Sequence, residues 1–210
     1  MKILLSHPNV DVNSPSIITS MKTKNGWDYS EVTVNEETLL YQSIKENNKE
    51  IFQLLLSRPD IDINSTSIYK IDKEYSSSRK PIYYKYDLAL FKSLSNDNLE
   101  YFIALISHPK IDITKEIKEY NEKFQNNIII QSNILFHAIL HYQPEIVKQL
   151  LAFKILNVNA KCQNKGNEET PLMLAIDKRQ MNVIKMLLDE EKIDINETSI
   201  IDGNELTPLY

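Results

Sequence analysis

The side chains able to do chemistry are few and poorly grouped. The chain holds 4 histidines and 1 cysteine, at His7, His108, His137, His141 and Cys162. Only His137 and His141 have a ligand-like spacing, i and i+4 on one helical face. Such a pair can bind a transition metal, yet no glutamate follows His137 as in a zinc-protease helix, and no third ligand is evident. Solvated surface histidines are the plainer reading, so no metal is expected. His7 and His108 fall at one position of a recurring segment, with Arg58 at that position between them, which points to work at helix ends and turns. Cys162 lacks a neighbouring histidine or basic cluster to lower its pKa, so a half-buried or solvent-facing thiol is expected rather than a nucleophile. Glu168-Glu169 and Glu190-Glu191 read as solvated turn charges. With 3 glycines in the chain, no phosphate-cradling loop of the usual form can be assembled. Neither an enzyme nor a bound cofactor or small molecule is expected.

A net charge of −5 with both signs interspersed argues against a surface that tracks nucleic-acid phosphates. No apolar run approaches the roughly 18 residues of a spanning helix. The opening MKILLSHPNV is too short in apolar character for a signal peptide. The single cysteine fits a reducing compartment. A cytoplasmic protein is expected, with the nucleus as the other possibility, and no membrane insertion.

The elements that would position any site come from a repeat. A 27-residue unit runs without gaps over 38–64, 88–114, 133–159 and 170–196, with partial copies at 1–13 and 207–210. Each unit carries apolar pairs at i, i+1, i+4, i+5, as in Ile51, Phe52, Leu55 and Leu56 or Val183, Ile184, Leu187 and Leu188, which is one helical stripe. Earlier in each unit a shorter apolar set surrounds a small residue, Ser43, Ser93, Ala138 or Ala175. This pattern predicts two antiparallel helices touching at the small side chain. Between them, Asn47-Asn48 and Asp97-Asn98 supply a left-handed residue and an N-cap, Pro144 suits the first turn of a helix, and Arg179-Gln180 is poorer turn material. After the second helix, alternation such as Ile61-Asp62-Ile63 predicts an extended arm.

The T-P-L-x-x-A of Thr170 to Ala175, the V-I-K-M-L-L of Val183 to Leu188 and the I-D-I-N of Ile193 to Asn196 resemble the ankyrin repeat. The resemblance implies an all-α solenoid of stacked helix–turn–helix units with β-hairpin or irregular finger loops, organised as one array over 1–210. Thr-Pro survives only at Thr170-Pro171 and Thr207-Pro208, and the glycine usual between the two helices is absent. The resemblance further implies a non-catalytic module that binds a protein partner through finger loops and first helices. Its variable contact positions would be Gln42, Lys45, Glu46, Lys92, Ser95, Asn96, His137, Leu140, His141, Leu174, Asp177 and Lys178. The alternative is the regulatory or scaffolding array of a larger enzyme or membrane protein, since both ends fall inside a repeat.

All length variation lies in the connections. The two short ones contain Asn164-Lys165-Gly166-Asn167 and Asp202-Gly203-Asn204, signals for tight hairpin tips. Three longer insertions occupy 14–37, 65–87 and 115–132. The first contains Trp27 and Tyr29 and alternates at Val32 and Val34. The second contains Tyr69, Tyr75, Tyr83, Tyr84 and Tyr86, with arms SIYKI and PIYYKY that can lengthen a hairpin. The third places Ile117, Tyr120 and Phe124 at helical spacing and ends in the strand-like Ile128-Ile129-Ile130. Rigid aromatics at such tips suit partner recognition, and Trp27, Tyr29, Tyr69, Tyr75, Tyr83 and Tyr84 join the candidate contacts. The plainer reading is that they pack beneath their own loops.

Overall fold

The structure is a computed structural model, and it describes residues 7–23, 29–75, 78–94, 99–121 and 127–209. Eight helices among them form four pairs: α1 (Leu39–Lys45) with α2 (Lys49–Leu56), α3 (Ala89–Leu94) with α4 (Leu99–Ile106), α5 (Ile134–Leu140) with α6 (Pro144–Leu151), and α7 (Pro171–Asp177) with α8 (Met181–Leu188). Three first helices start at a polar cap. Thr38 Oγ1 accepts from the Tyr41 N–H at 3.2 Å, Asn133 Oδ1 from Phe136 at 2.8 Å and Thr170 Oγ1 from Met173 at 3.2 Å. Each cap satisfies a backbone donor that the first turn leaves open. Asn47 is left-handed at φ 54°, and Asn48 caps α2 by accepting from Ile51 at 3.1 Å, as expected. Asp97-Asn98 lie outside the described residues. Tyr142 and Arg179 hold the same left-handed position at φ 56° and 54°, although their side chains favour it less than asparagine or glycine. Gln180 offers α8 no side-chain cap.

The small residues sit where the helix pairs meet. Ser43, Ser93, Ala138 and Ala175 are all buried, and the two hydroxyls donate back to the Leu40 and Leu90 carbonyls at 2.7 and 2.6 Å. Most of the apolar stripes are core: Phe52, Leu55, Phe102, Leu105, Val147, Leu150, Val183 and Leu187 are at most 3 % exposed, whereas Leu188 at the end of α8 is 48 % exposed. Burying a side chain of this kind contributes about 1.5–3 kcal/mol. Phe52 and Tyr101 meet edge to face at 4.7 Å, while the Tyr101 hydroxyl reaches Asn47 Oδ1 at 2.9 Å.

The expectation of an all-α fold is wrong. Among the described residues ten antiparallel strands stand beside the helices, so the fold is mixed α/β. The first two insertions form long hairpins, β1 (Ser16–Thr23) with β2 (Tyr29–Glu37), and β3 (Thr66–Tyr75) with β4 (Ser78–Leu88). β2 also pairs with β3, from Tyr29↔Tyr75 to Glu36↔Ile68. Adjacent fingers therefore satisfy one another's backbone groups, which a lone two-stranded ribbon cannot do. The register shifts between Ile71 and Asp72, opposite Pro81, which has no N–H to give the ladder. The third insertion gives β5 (Ile117–Asn121) and β6 (Asn127–Ser132). β5 replaces the helical spacing expected there. Glu119 and Tyr120 meet Lys85 and Tyr86 of β4, and this neighbouring strand outweighs a weak local period. Phe124 lies outside the described residues. The short connections close as expected on two-residue tips: β7 (Cys162–Asn164) with β8 (Asn167–Glu169) at Lys165-Gly166, and β9 (Ser199–Ile201) with β10 (Asn204–Leu206) at Asp202-Gly203, with all four tip residues at positive φ.

The alternating triplets are not extended arms. In each, a side chain bonds the backbone two residues on: Asp11 to the Asn13 N–H, Asp62 to Asn64, Asp112 to Thr114, Asn157 to Asn159 and Asp194 to Asn196, at 2.9–3.0 Å. These are Asx turns, and they bury Ile61 and Ile63 together. The closing asparagine then reaches the next repeat. Asn13 donates to the Asp60 carbonyl and accepts from the Asp62 N–H, both at 2.8 Å, and Asn159 treats Lys192 and Asp194 alike at 2.7 and 2.9 Å. The chain divides into two compact units, Met1–Ile111 with Glu119–Asn127, and Asp112–Lys118 with Ile128–Tyr210.

Candidate partner-binding site

In the first unit, alternate residues of β2, β3 and β4 turn one face of the fingers towards the first helices. Asn35 lies opposite Tyr69, Tyr69 opposite Lys85, and Ser67 opposite Asp87. With Glu37, Tyr83, Tyr41 and Lys45 of α1, and Lys92 of α3, these residues line an open groove of about 290 Å³. Its charges are matched internally. Lys45 Nζ meets Glu37 at 2.6 Å, and Lys85 meets Asp87 at 3.2 Å and Glu119 at 3.5 Å. The Tyr41 hydroxyl donates to Asp87 Oδ2 at 3.1 Å, while Asp87 Oδ1 accepts from the Leu88 N–H at 2.9 Å. Tyr69 and Tyr83 stand edge to face at 6.1 Å.

Burial, with the charge of Asp87 behind it, pushes the Tyr41 phenol well above its ordinary pKa, and burial with Glu119 does the same to Tyr83. Both phenols therefore stay protonated donors. Burial lowers the Lys85 pKa, but Asp87 and Glu119 more than offset this and the net shift is upward, so it stays a cation.

The expected contact residues do not converge on one site. Tyr69, Tyr83 and Lys92 line this groove together, and Gln42 sits close by, its Nε2 donating to Ser16 Oγ at 2.5 Å. Glu46 is exposed at the end of α1. Tyr29, Tyr75 and Tyr84 lie on the arms of β2, β3 and β4, with Tyr29 opposite Tyr75. Trp27, Ser95 and Asn96 lie outside the described residues. In the second unit His137 is half-buried and His141 exposed, their rings 4.4 Å apart, and Lys178 pairs with Asp177 at 2.9 Å. Leu174 is a correction: it is 0 % exposed, because the first-helix position expected to face a partner here faces the core.

Three other expectations change. Cys162 is fully buried rather than half-open, and burial pushes its thiol up to about 12. Glu169 is buried rather than a solvated turn charge, and its pKa is raised, chiefly by that burial and then by Asp177. His137 is not freely solvated, since Nδ1 is buried. The turn reading of His7, Arg58 and His108 fits: His7 and His108 each accept from a backbone N–H two residues on, and Arg58 clamps Asp60 while donating to the His7 and Val10 carbonyls.

Sequence reasoning missed Asn35, Tyr41, Lys85 and Asp87. The alternation at Val32 and Val34 holds the signal for Asn35, since the intervening residues must face the other way. A second cleft, in the second unit, lies at the helix turns and is lined by Tyr142, Pro144 and residues 178–183. Among the described residues there is no group of three or more potential metal ligands and no helix long and apolar enough to cross a membrane.

A family model described as ankyrin repeats, in 3 copies, matches residues 90–199, more than half of the chain. No curated protein matches it.

Proposed function

The chain belongs to the ankyrin-repeat family, and on that premise we propose that it binds a protein partner through the face shared by its fingers and first helices. Ankyrin repeats are in general protein-interaction modules, and the family is typically non-catalytic. The observation that carries the reading is the groove of the first unit, where finger residues Tyr69, Tyr83 and Lys85 and helix residues Tyr41, Lys45 and Lys92 enclose one space. Its aromatic walls and satisfied charges are what a recognition surface needs, since tyrosine supplies contact area at low entropic cost. Gln42 and Glu46 of α1 join the proposed contacts, as do Tyr29, Tyr75, Tyr84 and Trp27 on the strength of their residue type alone. His137, His141 and Lys178 are the corresponding contacts in the second unit.

Site-specific photo-crosslinking tests it. A benzophenone side chain at position 69 or 92 is expected to capture the same protein, and one at Lys148, exposed on α6, to capture none. Capture from position 148 alone, or equal capture from all three, would refute the reading.

A further inference from the structure

We infer that the outer edge of β1 pairs with the same edge of a second copy, joining the fingers of two chains across a two-fold axis at Thr19. The surface is a row of backbone groups. Among the described residues β1, eight residues from Ser16 to Thr23, pairs with β2 alone. Every second residue of the strand therefore directs its N–H and C=O away from the sheet. Such a row is a template for a further strand.

This edge carries none of the usual protection. Sheets blunt their edges with prolines, charges or bulges. Between Ser16 and Thr23 there is no proline and one charge, Lys22. The pairing with β2 runs without a register shift, whereas that of β3 with β4 has one. Successive side chains of a strand point to opposite faces, and Ile17 and Ile18 are 66 % and 47 % exposed. Apolar surface is thus open on both faces of the edge, and a strand laid beside β1 covers some of each as it takes the backbone bonds.

The chain itself shows what fills an edge of this length. β2 takes β3 antiparallel over eight residues, from Tyr29↔Tyr75 to Glu36↔Ile68. A second copy offers two strands with one partner each among the described residues, β1 and β10. β10 has three residues, Asn204–Leu206, and would leave most of β1 uncovered. β1 matches itself in length, and self-pairing closes the open edges of both copies at once.

The residue types select the register. An antiparallel pair on a two-fold axis sets one residue opposite itself. With Thr19 there, Ile17 falls opposite Met21, Ile18 opposite Ser20 and Ser16 opposite Lys22. Apolar meets apolar, the two lysines stay apart, and threonine opposite threonine is a favourable cross-strand pair. With Ser20 on the axis, Lys22 would fall opposite Ile18 and Met21 opposite Thr19, which loses the apolar pair.

Sedimentation velocity of the whole chain from about 1 to 100 μM tests this. A reversible monomer–dimer equilibrium is expected. Thr19 is exposed, so Thr19→Lys and Thr19→Glu are expected to keep the circular dichroism of the chain while weakening the dimer at least about tenfold, since like charges then face each other on the axis. An equimolar mixture of the two variants is expected to restore the dimer, because opposite charges now meet. A chain that stays monomeric throughout, a dimer indifferent to both variants, or a mixture that dimerises no better than either variant alone would overturn the inference. So would species that grow past the dimer with concentration, the signature of head-to-tail pairing of β1 with β10.

Discussion

Replacing Asn159 by alanine removes a two-bond bridge between consecutive repeats of the second unit. Its Nδ2 donates to the Lys192 carbonyl at 2.7 Å and its Oδ1 accepts from the Asp194 N–H at 2.9 Å. A net hydrogen bond contributes about 0.5–1.5 kcal/mol, and partners that water can reach fall at the low end. The expected loss is therefore about 1–2 kcal/mol. At roughly 2–4 °C per kcal/mol for a chain of this size, the melting temperature falls by about 2–8 °C. Asn159→Asp keeps the acceptor for Asp194 but sets a carboxylate oxygen against the Lys192 carbonyl in place of the donor, so a loss at least as large as that of the alanine is expected. Asn196 is the control: it occupies the same repeat position, and its backbone N–H meets Asp194 of its own turn, but its side chain bridges to no further repeat among the described residues. Urea unfolding followed by circular dichroism measures all three variants. A change below about 0.3 kcal/mol for Asn159→Ala, or an equal loss for Asn196→Ala, would refute the bridge as a coupling device between repeats.

Three further outcomes are expected. Arg179→Gly stabilises the chain by about 0.5–1 kcal/mol, because the left-handed φ of 54° strains any side chain there, while Arg179→Val destabilises it; thermal melts decide. Glu169→Gln stabilises at pH 7. The raised pKa of Glu169 means that its buried charge carries a penalty above the folded pKa, and this penalty disappears as pH falls below the ordinary carboxylate range, so the gain vanishes near pH 4. A stability profile with the opposite slope would count against the burial. Cys162, buried with its thiol pushed up to about 12, reacts with a thiol reagent at pH 8 at least about tenfold more slowly in the native chain than in urea.

The helix pairs were legible in the sequence because a stripe of period near four and a small residue at a fixed offset are local properties. Ser43 and Ala175 could be placed at a helix contact from spacing alone, as could the glycine-tipped hairpins, since a positive φ at both tip residues demands that chemistry. The closing I-D-I-N misled because alternation over four residues describes an Asx turn as well as a strand. Only the partner groups, the carbonyl and N–H of the next repeat, decide between them.

What the sequence by itself determined is therefore the repeat, its two helices and its family. Tertiary structure decided that the insertions are strands, because a strand is stable only when a neighbour takes its backbone bonds, and β2 finds its second neighbour in β3, across a helix pair. It also decided the groove. Asn35 and Tyr69 are separated by a whole helix pair in the chain and become neighbours only through the pairing of β2 with β3. Burial set the pKa directions of Tyr41, Cys162 and Glu169, since desolvation depends on which atoms exclude water, and that is a property of the packed chain.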